Sequence, residues 1–580
     1  LRDPSPRGRA WTAVSVGVVA AVYFVATAAL QGRDLFPKTH DDLSYLLQIR
    51  MLAAGRLWMP AHPLADHFDA FYVITRPVYG SMYFPGAALM YVPTAWLDLP
   101  TWLLPATVAG AVVGLVYRVV AELVDGVAGL LAGLGVASLS FFRMYSVLLT
   151  SHEPTLLLGL LLAWGYLRWR RSAGGRRGGW CAFVGAAAGW AAITRPADAV
   201  CFALPVGVAM LLDLLRPVPR GTGVRPAPSG SAGRKAKTDE RREHEPTPHA
   251  TGGWRGVAAT LLLLVVGAAP FLALQGWMNV GVTGRLLGLP YALYHDRDQP
   301  GTGFGFHRLD PSAEPASVVP QKRAHYATFY RRYAERHQPD RVLGWWGRLY
   351  LPLAADAALP GRAALVLLPV GLLGLSGDRR RWAVAAALPL LLVTYFLNTF
   401  FLEHYALAAV PAAVLLATLG MRQLAAAAGR AWGPRVFAGL AAGFVALCLS
   451  VLPETNAVWA ALRQPEVGDE TFKSAVMTVR AAIPTASEQD IHKPAIVLVR
   501  WAPGADVQAE PVYNVDTVWP DDAAVIFAHD LGPERNRELF RYYAAREPGR
   551  TVYVWDRSPS PDGKLRLPEP VGTVGELAGK

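Results

Sequence analysis

The chain has 580 residues, of which 53% are hydrophobic and only 17% charged, against about 25% charged in an ordinary soluble domain. That excludes a water-soluble globular fold along its whole length. The formal charge of +12 does not make it a nucleic-acid binder either, because its basic residues sit mainly between apolar blocks, where lysine and arginine hold loops on the cytoplasmic side of a membrane.

The apolar residues cluster in blocks of about 15–22, such as 11–30, 257–274 and 382–397, near the ~20 residues a helix needs to cross the hydrocarbon core. Arg2, Arg7 and Arg9 precede the first block, which ends in Val25-Ala26-Thr27-Ala28. A signal peptide has this form, but the later blocks favour an uncleaved first helix. The expected fold is an all-α polytopic membrane protein of about eleven transmembrane helices, with juxtamembrane helices outside and a small C-terminal α/β soluble domain. The membrane part covers 1–452 and the extracytoplasmic domain 453–580. The spans are expected near 11–30, 101–122, 126–144, 154–170, 180–194, 197–215, 256–275, 362–376, 382–400, 405–420 and 435–452, and 342–358 adds a span or lies in the interface.

Arginine clusters orient them. Arg168, Arg170, Arg171, Arg176 and Arg177 mark an inside turn, as do Asp378-Arg379-Arg380-Arg381,. The N-terminus is then cytoplasmic, the tail is outside, and the chain lies in a bacterial plasma membrane. Residues 216–255 are rich in Pro, Gly, Ser, Lys and Arg and read as a disordered cytoplasmic loop. Residues 276–345 read as a long outside loop. In the tail, 495–500, 524–529 and 551–555 read as strands, with helical composition at 533–546. Cys181, Cys201 and Cys448 all fall in apolar blocks and make neither a disulfide framework nor a zinc site,.

An ionisable residue beside a membrane is a functional hypothesis by default. After the first span comes Lys38-Thr39-His40-Asp41-Asp42-Leu43-Ser44-Tyr45. Either aspartate caps the following helix, yet a cap needs one carboxylate. The second is free to take a proton from an attacking hydroxyl or to hold a metal with a partner. Arg76-Pro77 and Tyr83-Phe84-Pro85-Gly86 precede an apolar stretch too short to cross, as a re-entrant or interfacial helix would be. Ser151-His152-Glu153-Pro154 opens a span on the same outer side. There Glu153 suits a helix N-terminus, and His152 and Glu153 form a second acidic site for an acceptor or metal. Arg195 stands in an outer hairpin, where positive charge is disfavoured; an anionic lipid phosphate would explain it, and snorkelling is the plain alternative. Glu403-His404-Tyr405 opens another span, with His404 free to pair with Glu403. The 277–307 loop holds Trp277, Asn279, Tyr291, Tyr294, His295, Asp296, Arg297 and Asp298, the aromatic and hydrogen-bonding mixture of a sugar cleft; a flexible loop without ligand fits equally. The run Gly301-Thr302-Gly303-Phe304-Gly305-Phe306 follows no strand and is no nucleotide fingerprint. The tail contains no evident catalytic set.

This layout resembles the GT-C superfamily of membrane glycosyltransferases, above all the family 39-like branch of protein O-mannosyltransferases and lipid A aminoarabinose transferases. His40-Asp41-Asp42-Leu43-Ser44-Tyr45 looks like that family's acidic motif after the first span. Gln48 to Trp58 is similar to its juxtamembrane helix. Tyr83-Phe84-Pro85-Gly86 resembles the opening of a further one, and Ser151-His152-Glu153-Pro154 sits where the family has a second acidic residue. The resemblance implies a polyprenyl-phosphate sugar as donor and an inverting attack by an acceptor hydroxyl on the outer side. Asp41 or Asp42 would be the base. Arg195, His404 and Arg76 would hold the lipid phosphate, and His40, Tyr45, Tyr83, Tyr291, Tyr294, His295, Glu403 and Tyr405 would line the pocket. No cofactor is certain; a divalent metal, Mg or Mn, would take Asp42 and Glu153. Phe84 stands where the aminoarabinose branch carries a lysine, which puts the sugar in doubt. The main alternative is a transporter or flippase, which would show mid-span charges and inverted repeats; an envelope scaffold is the other.

Overall fold

The computed structural model describes residues 5–33, 35–37, 39–215, 254–451, 493–503, 505, 507, 510–558 and 566–579. The expected disordered loop lies outside them except for Trp254 and Arg255, and so does 453–492 of the tail.

Local chemistry starts the first helix. The Ser5 hydroxyl accepts from the Gly8 amide at 3.1 Å, and Pro6 takes the first helical position, where its missing N–H costs nothing. The first eleven helices are α1 (Pro6–Leu30), α2 (His40–Ala53), α3 (Pro85–Trp96), α4 (Leu103–Leu123), α5 (Gly126–Ser138), α6 (Ser140–Tyr145), α7 (His152–Arg171), α8 (Gly174–Ala192), α9 (Pro196–Leu214), α10 (Trp254–Thr283) and α11 (Pro290–Asp298). Among the described residues, α1, α4, α9, α10, Glu403–Ala427 and Gly429–Ser450 are long and apolar enough to cross a bilayer. Val342–Ala358 and Arg362–Leu373, bent by 96° at their junction, would make a seventh span together. The chain is thus a multi-pass membrane protein, and six or seven of the roughly eleven expected spans meet that length and apolarity among the described residues. Each expected block is helical, yet α5 has 13 residues, the block near 382–400 breaks at Ala386 into Arg379–Ala385 and Ala387–Phe396, and α7 and α8 carry arginines in their end turns.

With no hydrophobic drive between helices in lipid, close backbone packing takes its place. α1 lies on α4 through glycine: a Cβ at Gly110 would sit 2.4 Å from the Gly17 carbonyl oxygen. α10 packs on α8 and leaves most of its surface bare. One end of the bundle collects arginines. The other carries α2, α3 and a small antiparallel sheet, β1 (Met59–Pro60), β2 (Val73–Ile74) and β3 (Val78–Ser81), in the order β1-β3-β2.

The expected long loop is largely helical. α10 continues to Thr283, α11 follows, and 320–336 is a helix with a π turn at Tyr326–Tyr330. The glycine run is held rather than loose. The Gly305 amide donates to Leu397 O at 2.6 Å and the Thr399 amide to Gly303 O at 3.0 Å, with Gly303 at a φ of +123° that a side chain would strain,.

The tail forms the expected α/β unit: β4 (Ala495–Arg500), β5 (Val525–His529), β6 (Thr551–Asp556) and β7 (Glu569–Thr573), in the order β5-β4-β6-β7, with Pro533–Ala544 crossing from β5 to β6. β4 is parallel to β5 and β6, and β7, which the sequence pattern did not announce, is antiparallel to β6. This unit does not stand apart. Tyr513 and Val515, between β4 and β5, share a core with Leu43, Leu47 and Phe71, and Phe68 enters the core formed by Ile496, Leu498 and Leu539.

Candidate active site

The two aspartates at the start of α2 have different tasks. The Thr39 hydroxyl accepts from the Asp42 amide at 3.2 Å, and Asp42 Oδ2 accepts from the Thr39 amide at 3.4 Å. This is a capping box,, and Asp42 is fully buried in it. Asp41 lies about 100° further round the helix. Its Oδ1 accepts a hydrogen bond from the Tyr83 hydroxyl, and it forms no ion pair among the described residues. Burial raises the Asp41 carboxyl above the usual carboxylate range, while the Tyr83 bond and the Arg195 charge pull it back. A carboxylate held this way is a better proton acceptor than one in water.

Tyrosines wall this carboxylate. Tyr83 stacks on Tyr45, with centroids 4.5 Å apart and planes at 12°. Tyr72 packs on Tyr83 at 5.7 Å, and its backbone φ of +59° is a conformation that costs a bulky residue about 1–3 kcal/mol. Four bonds hold it there. Its amide donates to the Tyr294 hydroxyl at 2.8 Å, its carbonyl accepts from Ser44 Oγ at 2.8 Å and from the Met82 amide at 3.0 Å, and its hydroxyl meets that of Tyr330 at 2.7 Å.

Arg195 comes from the turn between α8 and α9. Its Nε donates to Asp198, one Nη to the Tyr395 hydroxyl at 2.9 Å and the other to Ser151 Oγ at 3.3 Å. Its guanidinium lies over the Tyr405 ring at 4.9 Å. Asp198 also accepts from Tyr395 at 2.7 Å. His152 and His404 pack edge to face at 4.7 Å, and His152 stacks on Tyr405 at 5.7 Å. The expected pairing of His404 with Glu403 is corrected: His404 Nδ1 meets the Tyr145 hydroxyl at 2.8 Å instead. Asp41, Tyr45 and Tyr291 all lie within electrostatic range of Arg195.

An apolar cavity of about 470 Å³ runs to this cluster, within the ~300–1,000 Å³ of ordinary small-molecule sites. Leu351, Leu359, Leu388, Leu391 and Phe401 line it, with Arg362 along its wall. Two further lining residues, Tyr395 and Tyr405, are the rings that hold Arg195.

The other expected site residues divide. Tyr291 stacks on Phe84 at 6.0 Å, and burial pushes its hydroxyl up to about 12. Tyr294 spends its hydroxyl on the Tyr72 backbone. His295 Nδ1 meets Thr302 Oγ1 at 2.9 Å. Arg76 is not gathered with Arg195 and His404 as the lipid-phosphate assignment requires: it pairs with Asp66, which also meets Arg535 of the C-terminal domain at 3.4 Å. His40 turns away from the cavity, toward Tyr513. Glu153 is buried and accepts from Thr150 Oγ1 at 3.0 Å, its second oxygen having no hydrogen-bond partner among the described residues. Asp42 and Glu153 feel each other electrostatically, but among the described residues no group of three or more His, Cys, Asp or Glu is arranged to hold a metal. With Asp42 committed to its cap, these two carboxylates are a poor cradle, and no step below runs through a metal.

Asp198, Tyr395, Tyr145, Tyr72 and Tyr330 were missed. Asp198 had a signal, three residues after Arg195 in the first turn of a helix. Tyr395 was a single tyrosine inside an apolar block.

No protein-family model matches the sequence, and no curated protein does. Among solved structures, the chain is similar to ArnT from Cupriavidus metallidurans in the apo state, at 14% identity and a TM-score of 0.49, over 98% of this chain and 100% of that one. The same protein bound to undecaprenyl phosphate gives 14% identity and 0.49, over 96% and 94%. The Archaeoglobus fulgidus oligosaccharyltransferase in the apo form gives 11% and 0.41, over 82% and 58%. At such identities the reaction has to be read from the side chains themselves.

Proposed function

We propose that this protein is a membrane glycosyltransferase that moves a sugar from a polyprenyl-phosphate donor to an acceptor hydroxyl, at the end of the bundle opposite the arginine clusters. One observation carries the reading: an apolar cavity ends at two tyrosines that hold a half-buried arginine, and a carboxylate with no ion pair among the described residues lies within that arginine's field. Lipid, phosphate and reacting carbon would then lie in sequence along the cavity, the Arg195 group and Asp41.

In this scheme the acceptor oxygen attacks the anomeric carbon and the bond from that carbon to the phosphate oxygen breaks. The hydroxyl proton passes to Asp41. The electron pair leaves with the lipid phosphate, whose growing charge Arg195 stabilises. One displacement inverts the anomeric centre. Asp42 holds the start of α2, and Tyr83 orients Asp41. The arginine-rich end faces the cytoplasm by the positive-inside rule, so the reaction and the C-terminal domain belong to the outer side of a bacterial plasma membrane.

The test is turnover by the purified protein of a panel of polyprenyl-phosphate sugars, read as release of lipid phosphate, with and without divalent cation. Release that Asp41→Asn abolishes supports the reading. Substrate movement across vesicles without bond cleavage would instead make the protein a transporter.

A further inference from the structure

Among the described residues, the C-terminal domain makes its polar contact with α2 at His40, next to the carboxylate just described. His40, the first residue of α2, is 4% exposed. Its ring stacks on Phe71 with centroids 4.2 Å apart. Nδ1 lies 2.9 Å from the Tyr513 hydroxyl and Nε2 lies 3.2 Å from the Val507 carbonyl oxygen. Both partners come from the connection between β4 and β5. That connection leaves the sheet and enters the core of α2 and α3, where Tyr513 is 2% exposed and Val515 is fully buried.

The protons can be assigned. A carbonyl only accepts, so Nε2 carries the hydrogen. Burial and the nearby His325 and Lys322 push the ring down to about 3, so it is neutral and Nδ1 has a free lone pair. The Tyr513 hydroxyl therefore donates to Nδ1, with the Phe71 carbonyl at 3.0 Å as a competing acceptor.

Successive residues of a helix point about 100° apart. His40, Asp41 and Asp42 thus face three ways: to the C-terminal domain, to the Tyr83 hydroxyl and back onto Thr39. Holding the first and third fixes the roll of the helix start, and with it the direction of Asp41. We infer that the C-terminal domain is a positioning element for the reaction, acting through the Tyr513–His40 hydrogen bond, and that Tyr513 is a positioning residue. This rests on the reading of Asp41 as general base.

The test uses the full-length protein and a polyprenyl-phosphate sugar that the wild type turns over. Tyr513→Phe keeps the buried ring and removes only the hydroxyl. The expected result is a fall in kcat of about tenfold, as for one lost hydrogen bond near a reacting group, with the donor KM within about twofold. The acid limb of kcat/KM moves to higher pH, because a displaced Asp41 loses the Tyr83 bond that holds its pKa down. In a double-mutant cycle with His40→Ala the two losses do not add. Unchanged kcat and pH profile in Tyr513→Phe, or additive losses in the cycle, overturn the inference while Asp41→Asn still abolishes turnover. If Asp41→Asn keeps wild-type turnover, the base reading fails first and this inference with it. Should Tyr513→Phe not fold, His40→Asn keeps an acceptor toward Tyr513: activity well above His40→Ala supports the inference, and equal activity overturns it.

Discussion

At the arginine-rich end of the bundle, Glu122 is enclosed by Arg118 at 2.8 Å, by Arg171 at 3.0 Å and by Arg168. Asp213 lies between Arg170 at 3.1 Å and Arg379 at 3.8 Å. At the opposite end, Arg195 has the single carboxylate Asp198, and its other company is hydroxyl and aromatic. Cations outnumber anions at the first end, as a surface needs to stay on the cytoplasmic side. At the second, Arg195 pairs with Asp198 alone among the described carboxylates, and tyrosine and serine hydroxyls do the remaining bonding around it. Asp41, set among phenols, is left basic and reachable. On the proposed reading, the contrast separates charge that orients the protein from charge that reacts.

Substitutions at the two ends should therefore fail in different ways. Asp41→Asn should lower kcat by about 10³-fold, as loss of a general base does, while Asp42→Asn stays within about threefold and instead costs about 1 kcal/mol of stability through its cap. Equal losses in the two variants would erase the division of labour between neighbouring aspartates. Arg195→Gln should lower kcat/KM by about 10²-fold, the usual cost of one charge-stabilising donor. Arg195→Lys should not restore it, since a lysine cannot reach Asp198, Tyr395 and Ser151 together. Tyr83→Phe should cost about tenfold. It also gives a signed pH effect. The general base must be deprotonated, so activity falls as pH drops below the Asp41 pKa, which already lies above the usual aspartate range; removing the Tyr83 donor raises it further, and the acid limb of kcat/KM moves to higher pH. A move to lower pH would put the base elsewhere. Glu122→Gln should leave turnover within about twofold yet cost about 3 kcal/mol in unfolding measurements in detergent, because three arginines lose their anion in a buried place. A loss of rate without loss of stability there would break the comparison.

The sequence was legible where one residue type repeats. The apolar blocks announced the helices, arginine clusters such as Arg168 to Arg177 the helix ends where they gather, and short β-branched runs located β4, β5 and β6. The span count was less legible, since apolar length does not reveal a break like that at Ala386. His40-Asp41-Asp42 announced chemistry, but which aspartate caps is decided by the Thr39 hydroxyl, and only coordinates show it. Arg195 stood out because its charge was on the wrong side. Tyr395 and Tyr145 did not, because a tyrosine in an apolar block looks like packing until its hydroxyl has a partner. Arg76, assigned to the lipid phosphate through the resemblance, led elsewhere, to the surface it shares with the C-terminal domain.

The bond from His40 to Tyr513 joins residues 473 positions apart in the chain. Synthesis runs from one end, so α2 and both aspartates are made long before the residue that locks them. A chain truncated or stalled before Tyr513 carries every group of the cavity but lacks the contact that aims Asp41. On the inference drawn above, such a copy would turn over more slowly until the C-terminal domain is in place.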